Sequence, residues 1–395
     1  MRFLFTLALC AAAAPAWAQS SISAEIGRSG LKATEARLAA LPAPDDAERF
    51  ALAGVRFLGT VEAALQLRWR VGLSEQLTML PVLRLPIAEN PAPEPFRPEL
   101  IAELFHAITT GMEAARAPLA GIEEDSDFAL KISLGDIWFD INGNAVRDPG
   151  EDLMEVSRPM LLGQRPAPAA NPPVIRFDAA DVAWLSAYTH LLGGIGDAVL
   201  AYDPTAAITK VLGARLALHG LRGRPFDADD GMLIEIADMV AMVEGALNQP
   251  PDIARAQSAH AHFLAMIEDN RRFWRLVAAE TDDAAEWLPN ESQRSSALGV
   301  VLPAGTGAAW LAVLGDAEAL LTGALLAPYW QLDATAGVNV GRLFTDPRPI
   351  DLLDWVQGAG ALPYLEKGSV VDDASWDAFS ELVGGEAMLM TVFLN

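Results

Sequence analysis

Two clusters of proline divide this sequence and limit the regular structure that can form within them. Six prolines fall between Leu80 and Pro98, a density that leaves no room for a helix or a central strand. A second cluster, rich in Pro and Ala, runs from Gln164 to Pro173. We therefore expect both segments to be extended or irregular, with the regular elements lying before, between and after them.

Outside these clusters, most of the chain has the three- and four-residue apolar spacing of an amphipathic helix. Acidic residues such as Asp45 and Asp178 stand at the expected helix starts, where they interact favourably with the helix dipole and can cap free N–H groups. The spacing predicts helices over residues 45–69, 98–118, 227–248, 252–279, 304–324 and 374–383, and a long helix that begins after Asp178.

Between the two proline clusters the pattern changes. Leu130, Ile132 and Leu134 alternate with polar residues, and Val174–Phe177 is a second short run with β propensity. The sequence therefore predicts a mainly α fold, an irregular multi-helix domain with a small β element that carries a loop. The expected parts are a helical part at 19–125 with the Pro-rich segment 80–98, the β and loop element at 126–178, and a helical, Trp-rich part at 179–395.

The N-terminus has the three regions of a secretory signal peptide. Met1 and Arg2 form a short positive region, an apolar run follows, and Ala16-Trp17-Ala18 has the small-x-small pattern of a cleavage site. We expect cleavage after Ala18, so that 1–18 is removed and the mature protein is periplasmic or secreted. Cleavage also removes Cys10, the only cysteine, which excludes disulfides and Cys-ligated metals from the mature protein.

The chain is strongly acidic, with 28 Lys and Arg against 52 Asp and Glu and a formal net charge of −24. Such a charge argues against a nucleic-acid partner, because phosphate binding needs a basic surface. It equally argues against docking on anionic lipid, and we expect no membrane association after signal cleavage. At 52% hydrophobic residues the chain is a globular protein rather than a disordered acidic polymer.

The run of twelve residues from Asp140 to Glu151 has the spacing of side chains that most clearly indicates a binding site in this sequence. Oxygen-bearing side chains occupy positions 1, 3, 5, 9 and 12 of the run, and the backbone carbonyl of position 7 is also available. These residues are Asp140, Asn142, Asn144, Val146, Asp148 and Glu151. Ca²⁺ prefers six to eight oxygen ligands, and an all-oxygen set disfavours zinc and copper.

The run resembles an EF-hand-type calcium loop, especially the Asp-x-Asn-Gly-Asn variants of exported bacterial proteins. The resemblance covers these twelve residues only and implies a Ca²⁺ ligated at those six positions. Two residues depart from the pattern, since Ala145 replaces the usual Gly at position 6 and Arg147 replaces an aliphatic residue at position 8. We expect a strand rather than a helix before the loop, and an affinity of about 10⁻⁴–10⁻³ M. The alternative is an Asx-rich turn that binds no ion.

No catalytic motif is present, so the sequence leaves open whether the protein is an enzyme. It contains no His-Glu-x-x-His, no Gly-x-Ser-x-Gly elbow, no complete dinucleotide fingerprint and no phosphate loop. His260 and His262 lie in a predicted helix, where residues two apart point in different directions and cannot chelate one metal.

Two other hypotheses remain open. The acids between Glu280 and Glu286, together with the C-terminal aromatics, could belong to a hydrolase or a carbohydrate- or ligand-binding protein. A solvated helix end and a set of core aromatics are the alternative interpretation of the same residues. The segment Leu80–Pro98 could instead be the contact surface of a partner-binding helical module. The substrate or partner itself is not specified by the sequence.

Overall fold

The computed structural model describes residues 15–73, 85–156, 172–221, 228–281, 283–293, 296–384 and 387–394. Its fold is mainly α, as the sequence predicts, and the β structure of the described residues is confined to two small antiparallel sheets of two strands. The chain separates into two compact units. Unit 1 comprises residues 1–93, 117–182 and 279–301, and unit 2 comprises 94–116, 183–278 and 302–395.

Unit 1 contains two long helices, one short helix and the first sheet. Its elements are α1 (Pro15–Ala39), α2 (Asp46–Arg70), a 3₁₀ turn (Ala117–Gly121), β1 (Leu130–Ser133), a second 3₁₀ turn (Leu134–Asp136), α4 (Leu153–Val156) and β2 (Val174–Phe177). The two strands pair with Leu130 opposite Phe177 and Ser133 opposite Val174. This confirms the predicted β element, and the twelve-residue loop lies between its two strands.

Unit 2 contains most of the remaining helices. Its elements are α3 (Glu99–Arg116), α6 (Thr205–Leu221), α7 (Ala228–Leu247), α8 (Ile253–Ala279), α9 (Thr306–Thr322), β3 (Ala336–Val338), α10 (Val340–Thr345), α11 (Leu352–Gln357), a 3₁₀ turn (Leu362–Tyr364), β4 (Leu365–Lys367), α12 (Ala374–Leu382) and α13 (Ala387–Leu394). Helix α5 (Ala179–Ala201) begins in unit 1 and continues into unit 2.

The predicted helix boundaries agree closely with these ranges, and the start of α2 shows why. Asp45 accepts the N–H of Glu48, and the Glu48 carboxylate accepts the N–H of Asp45, so that both free donors at the helix start are satisfied. Asp178 and Asp181 form a related arrangement at the start of α5, where Asp181 accepts the N–H of Asp178. The predicted acidic helix starts are therefore hydrogen-bonded caps.

Helix α2 is the one helix of the described residues that is long and apolar enough to cross a membrane by length and composition. Core helices of soluble proteins pass the same test. The core of unit 1 forms along α2, where Ala53 and Leu65 are fully buried and Phe50 packs against Phe128 and Phe177. Its buried Arg68 donates to the carbonyl of Leu85, so even a charged residue of this helix has a protein partner.

Helix α1 is kinked at Gly30, where φ is +78°. A Cβ atom at this position would lie 3.1 Å from the Trp138 ring, so glycine provides both the turn and the space for the indole. Trp138 in turn donates its indole N–H to the carbonyl of Ile26 at 3.1 Å. The kink therefore fixes the residue that stands two positions before the twelve-residue loop.

The described part of the first proline cluster, residues 85–98, has no helix or strand, as predicted. Residues 80–84, residues 164–171 of the second cluster and residues 1–14 of the predicted signal peptide lie outside the described residues. The sequence analysis did not predict α1, α4, α6, α10, α11 and α13. It also missed the β3–β4 sheet, which pairs Ala336 with Lys367 and Val338 with Leu365.

Candidate metal centre

The ends of the loop from Asp140 to Glu151 are held together by backbone hydrogen bonds. Phe139 donates to the carbonyl of Glu151 at 2.8 Å, and Leu153 donates to the carbonyl of Ile137 at 3.0 Å. Trp138 and Asp152 also form an isolated antiparallel bridge. The run is thus a closed loop that follows an isolated β-bridge and ends at the short helix α4. The strand expected before it, β1, ends at Ser133 and is separated from the loop by a 3₁₀ turn.

The backbone of the loop turns at position 6 with a left-handed conformation. Ala145 has φ of +59°, although the described residues contain only one other non-glycine residue with positive φ, Ala285. The N–H of Ala145 donates to Oδ2 of Asp140 at 3.0 Å. Ala145 therefore adopts the conformation for which calcium loops of this type usually have glycine at this position.

Hydrogen bonds join the side chains of positions 3, 5 and 9 of the loop. The Asn142 and Asn144 amides both donate to Oδ2 of Asp148, at 2.7 and 2.8 Å. Their carbonyl oxygens accept the N–H groups of Asn144 and Val146 at 3.0 and 2.7 Å. Each amide oxygen has a second lone pair, so these bonds leave it able to face a cation.

Glu151, the predicted last ligand, is buried with 4% of its surface exposed. Its carboxylate accepts the N–H of Ile141 at Oε1 and the N–H of Asp148 at Oε2, both at 2.8 Å. Burial raises the pKa of Glu151, and the negative charge of Asp148 raises it further. The backbone hydrogen bonds lower this pKa, because they stabilise the charged carboxylate. The carboxylate therefore closes the loop through hydrogen bonds from both of its oxygens.

Helix α2 contributes two residues that the sequence analysis missed. Glu62 accepts the N–H of Asp140 at 2.8 Å, and Gln66 donates to the carbonyl of Asp140 at 2.7 Å. Glu62 is 8% exposed, and its pKa is raised by burial and by the charges of Asp140 and Glu151. The sequence around Glu62 does not indicate this contact, because its partner Asp140 lies 78 residues further along the chain.

One carboxylate oxygen of the loop has no partner among the described residues. Oδ1 of Asp140 is buried and accepts no hydrogen bond, although Oδ2 accepts the N–H of Ala145. A buried carboxylate oxygen without a donor is unfavourable, because it has lost water and gained nothing in return. This atom belongs to position 1 of the loop, the first of the predicted calcium ligands.

Arg147, which replaces the usual aliphatic residue at position 8, has its partners on the flank of the loop. Its Nε donates to Asp152 at 2.5 Å, and its guanidinium also donates to the carbonyl of Gly135 at 2.8 Å. An ion pair with a carboxylate compensates part of its positive charge. Arg147 thus joins the loop to the turn after β1.

Within the described residues, no group of three or more His, Cys, Asp or Glu side chains is arranged so that it could hold a metal ion. The predicted loop ligands include three such side chains, Asp140, Asp148 and Glu151, and the remaining oxygens come from amides and from the Val146 carbonyl. The structure brings Asp148 next to the two amides and turns Glu151 toward backbone N–H groups. The donor chemistry fits Ca²⁺, while the predicted ligation itself stays a prediction.

The histidines of unit 2 have separate partners. His260 contacts the carbonyl of Leu321 at 2.8 Å, whereas Nδ1 of His262 lies 2.7 Å from Nδ1 of His190. His260 and His262 both lie on α8, and they have different partners. The prediction that these two side chains point in different directions from one helix is therefore correct. Burial and the charge of Arg116 lower the pKa of His190 to about 3 and also lower that of His262.

The acids near residues 280–286 lie in unit 1 and have partners there. Glu286 is 4% exposed and accepts the N–H of Ala284 at 2.9 Å, and Gln293 donates to Glu280 at 3.1 Å. Asp181 is also buried, and desolvation raises its pKa well above the usual value, with further contributions from Asp178, Glu280 and Glu286. Asp282 lies outside the described residues.

Several of the C-terminal aromatics pack in the core of unit 2. Trp310 is buried and donates to Asn270 at 3.2 Å, while Tyr329 donates to the carbonyl of Trp355 at 2.6 Å. Tyr364, 1% exposed, packs beside Trp355 with ring centroids 5.9 Å apart. These contacts are those of core anchors with satisfied polar atoms. Trp330, in contrast, is 71% exposed.

Comparison with models of known protein families, with curated proteins and with solved structures finds no match for this chain. The geometry and donor chemistry of the loop are therefore the basis of the functional argument.

Proposed function

We propose that the protein is exported and that Ca²⁺, held by the loop from Asp140 to Glu151, stabilises its fold. The observation that carries the proposal is the buried Oδ1 of Asp140, which has no donor among the described residues and lies at position 1 of a closed all-oxygen loop. A cation would supply the missing partner of this oxygen. The left-handed Ala145 supports the same conclusion, because the chain tolerates this strain where a calcium loop needs the turn.

Electrostatics give the proposal a second line of support. Asp140, Asp148 and Glu151 lie in one loop, and Glu62 adds a fourth carboxylate whose pKa is raised by burial and, to a smaller extent, by the charges of Asp140 and Glu151. Like charges this close destabilise the folded state, and a divalent cation offsets their repulsion. In binding, the Asn142 and Asn144 oxygens and the Val146 carbonyl would complete the set of neutral ligands.

The proposed role of the site is to brace unit 1. The loop contacts α2 through Glu62 and Gln66. Trp138, which precedes the loop, packs against the kink of α1 at Gly30. A cation that fixes the loop would thereby fix the end of the β element against both long helices. In a chain without disulfides after export, such a cation would take over part of the stabilisation that cross-links give to other exported proteins.

Thermal unfolding of the purified protein in excess EDTA and in 10 mM Ca²⁺ tests this function. With a dissociation constant of about 10⁻⁴ M, calcium at this concentration adds about 2.7 kcal/mol to the free energy of unfolding. We expect a clear rise in Tm with calcium and a smaller rise with Mg²⁺, which accepts a bidentate carboxylate less readily. Superimposable curves in EDTA and in calcium would contradict the proposal.

A matched pair of variants assigns the effect to the loop. Asp140→Asn removes one ligand charge and should abolish most of the calcium-dependent rise in Tm. Asp125→Asn removes the same charge from an exposed aspartate of unit 1 outside the loop and should retain the full rise. Equal responses of the two variants would show that calcium acts through general charge screening rather than through this site.

A further inference from the structure

Helices α6 and α7 of unit 2 form a hairpin that exposes an unusual amount of apolar surface. Leu221 is 83% exposed and Leu216 76%, although solvent-exposed helix faces are normally polar. The exposed large apolar residues of the hairpin are Leu212, Leu216, Leu218, Leu221, Met232, Leu233, Ile236, Met239, Val240 and Val243. Ten exposed large apolar residues on two neighbouring helices mark a site of interaction.

The two helices already pack against each other with other residues. Ala207 and Val211 of α6 are buried, and a Cβ at Gly245 of α7 would lie 3.0 Å from the Cβ of Ala207. An ion pair between Arg215 and Asp238 joins the middle of the two helices. The exposed apolar residues are therefore additional to the contact within the hairpin.

The apolar residues of α7 have the spacing of a helix–helix contact. Met232, Ile236, Met239 and Val243 follow one another at intervals of four, three and four residues, the pattern of a coiled-coil seam. All four are at least 39% exposed. Among the described residues no element covers this seam, so α7 carries a packing surface for a helix that the described part of the chain does not supply.

The charges of the hairpin indicate which helix would fit. Helix α6 contains Lys210, Arg215 and His219 and no acidic residue, whereas α7 contains only acidic charges, among them Glu235 and Glu244. Two α7 seams packed on each other would bring acids together. An α7 seam packed on the α6 of a second copy would bring opposite charges together, and a two-fold axis would repeat the contact.

The available surface suits such a pairing. At about 1.5 Å per residue, α6 and α7 are about 25 and 30 Å long, and side by side they are about 20 Å wide. One face of the hairpin thus measures on the order of 500 Å² when flat, and interdigitating side chains increase the area. Two such faces together bury about 1,000 Å², which is the lower limit for a specific interface.

We propose that the α6–α7 hairpin is the interface of a symmetric homodimer. Two hairpins pack as an antiparallel four-helix bundle in which the α7 seam of each copy lies against α6 of the other. An anionic membrane is a poorer partner, because the acidic charges of α7 flank the seam and anionic lipid would repel them.

Sedimentation equilibrium of the full protein from 1 to 100 µM tests the proposal. We expect the wild type to be a dimer, and Ile236→Lys and Met239→Lys to weaken dimerisation at least 100-fold while circular dichroism shows an unchanged helix content. Leu353→Lys is the control, since Leu353 is 81% exposed on α11 of the same unit. A wild type that is monomeric at 100 µM, or a dimer that persists in both α7 variants, would overturn the proposal.

A charge exchange tests the pairing of α6 with α7. Lys210→Glu should weaken the dimer about fivefold, and adding Glu235→Lys should restore it. If Lys210→Glu has no effect and Glu235→Lys alone strengthens the dimer, the two α7 helices pack on each other and the proposed arrangement is wrong. A monomeric wild type that binds neutral phosphatidylcholine vesicles would instead identify lipid as the occupant and exclude the dimer.

Discussion

At the scale of one residue, Ala145 adopts an unfavourable backbone conformation that the turn of the loop requires. Its φ of +59° costs an alanine about 1–2 kcal/mol relative to its preferred backbone conformations. Glycine avoids this cost because it has no Cβ. The hydrogen bond from the Ala145 N–H to Asp140 holds the turn in place and offsets part of the strain.

Ala145→Gly should therefore stabilise the protein. We expect the free energy of unfolding, measured by urea denaturation in EDTA, to rise by about 0.5–1 kcal/mol, since the greater freedom of glycine in the unfolded chain cancels part of the gain. Ala36→Gly is the matched control at an exposed position within α1, where glycine should instead cost about 1 kcal/mol. Destabilisation of both variants by similar amounts would show that Ala145 is not strained.

The sequence identified the loop residues because their spacing is local. Asp140, Asn142 and Asn144 occupy alternate positions in one short segment, so their side chains gather as soon as the segment turns. Glu62 and Gln66 could not be found in the same way. Their contacts with the loop depend on how α2 packs in unit 1, and no spacing in the sequence records that arrangement.

At the scale of elements, the start of α2 depends on a reciprocal cap. The Asp45 side chain accepts the backbone N–H of Glu48 at 2.8 Å, and the Glu48 side chain accepts the backbone N–H of Asp45 at 3.0 Å. Asp45→Ala should lower the free energy of unfolding by about 1 kcal/mol, because a helix-start donor loses its partner. Asp45→Asn keeps the acceptor oxygen and should cost less. Equal losses for the two substitutions in urea denaturation would contradict this role of the cap.

Two of the missed elements, α6 and the β3–β4 sheet, lack the sequence pattern by which α2 was identified. Helix α2 buries one face, and its apolar spacing is therefore visible in the sequence. Helix α6 exposes leucines such as Leu212 and Leu216 where an ordinary surface helix is polar, so its pattern lacks the usual alternation of faces. Strands β3 and β4 have three residues each, which is too short for a period of two to be recognised.

At the scale of the whole molecule, the acidic excess has an identifiable structural use. Aspartates accept backbone N–H groups at the beginnings of helices, as Asp45 does in α2, Asp252 in α8 and Asp351 in α11. Of these three positions, only that of Asp45 was expected from the sequence. The assembly of each unit from three separated stretches of the chain was not, because it depends on contacts between residues far apart in sequence.

Acid should destabilise the whole molecule through the histidine pair of unit 2. The two Nδ1 atoms of His190 and His262 are 2.7 Å apart and share a hydrogen bond, so one must donate and the other accept. Burial, Arg116 and His262 lower the pKa of His190 to about 3, whereas a histidine in the unfolded chain has a pKa of about 6.5.

Between these two pKa values the unfolded chain binds a proton that the native His190 does not bind, so stability falls as the pH falls below about 6.5. His190→Asn keeps an amide near the position of Nδ1 and removes the titration. From pH 6.5 to 5, the wild type should lose about 1 kcal/mol more than this variant, a modest value because solvent screens the partly buried ring. Urea denaturation at both pH values measures the difference. His219→Asn, at an exposed histidine of α6, should follow the wild type, and parallel pH profiles for His190→Asn and the wild type would show that His190 titrates normally in the folded protein.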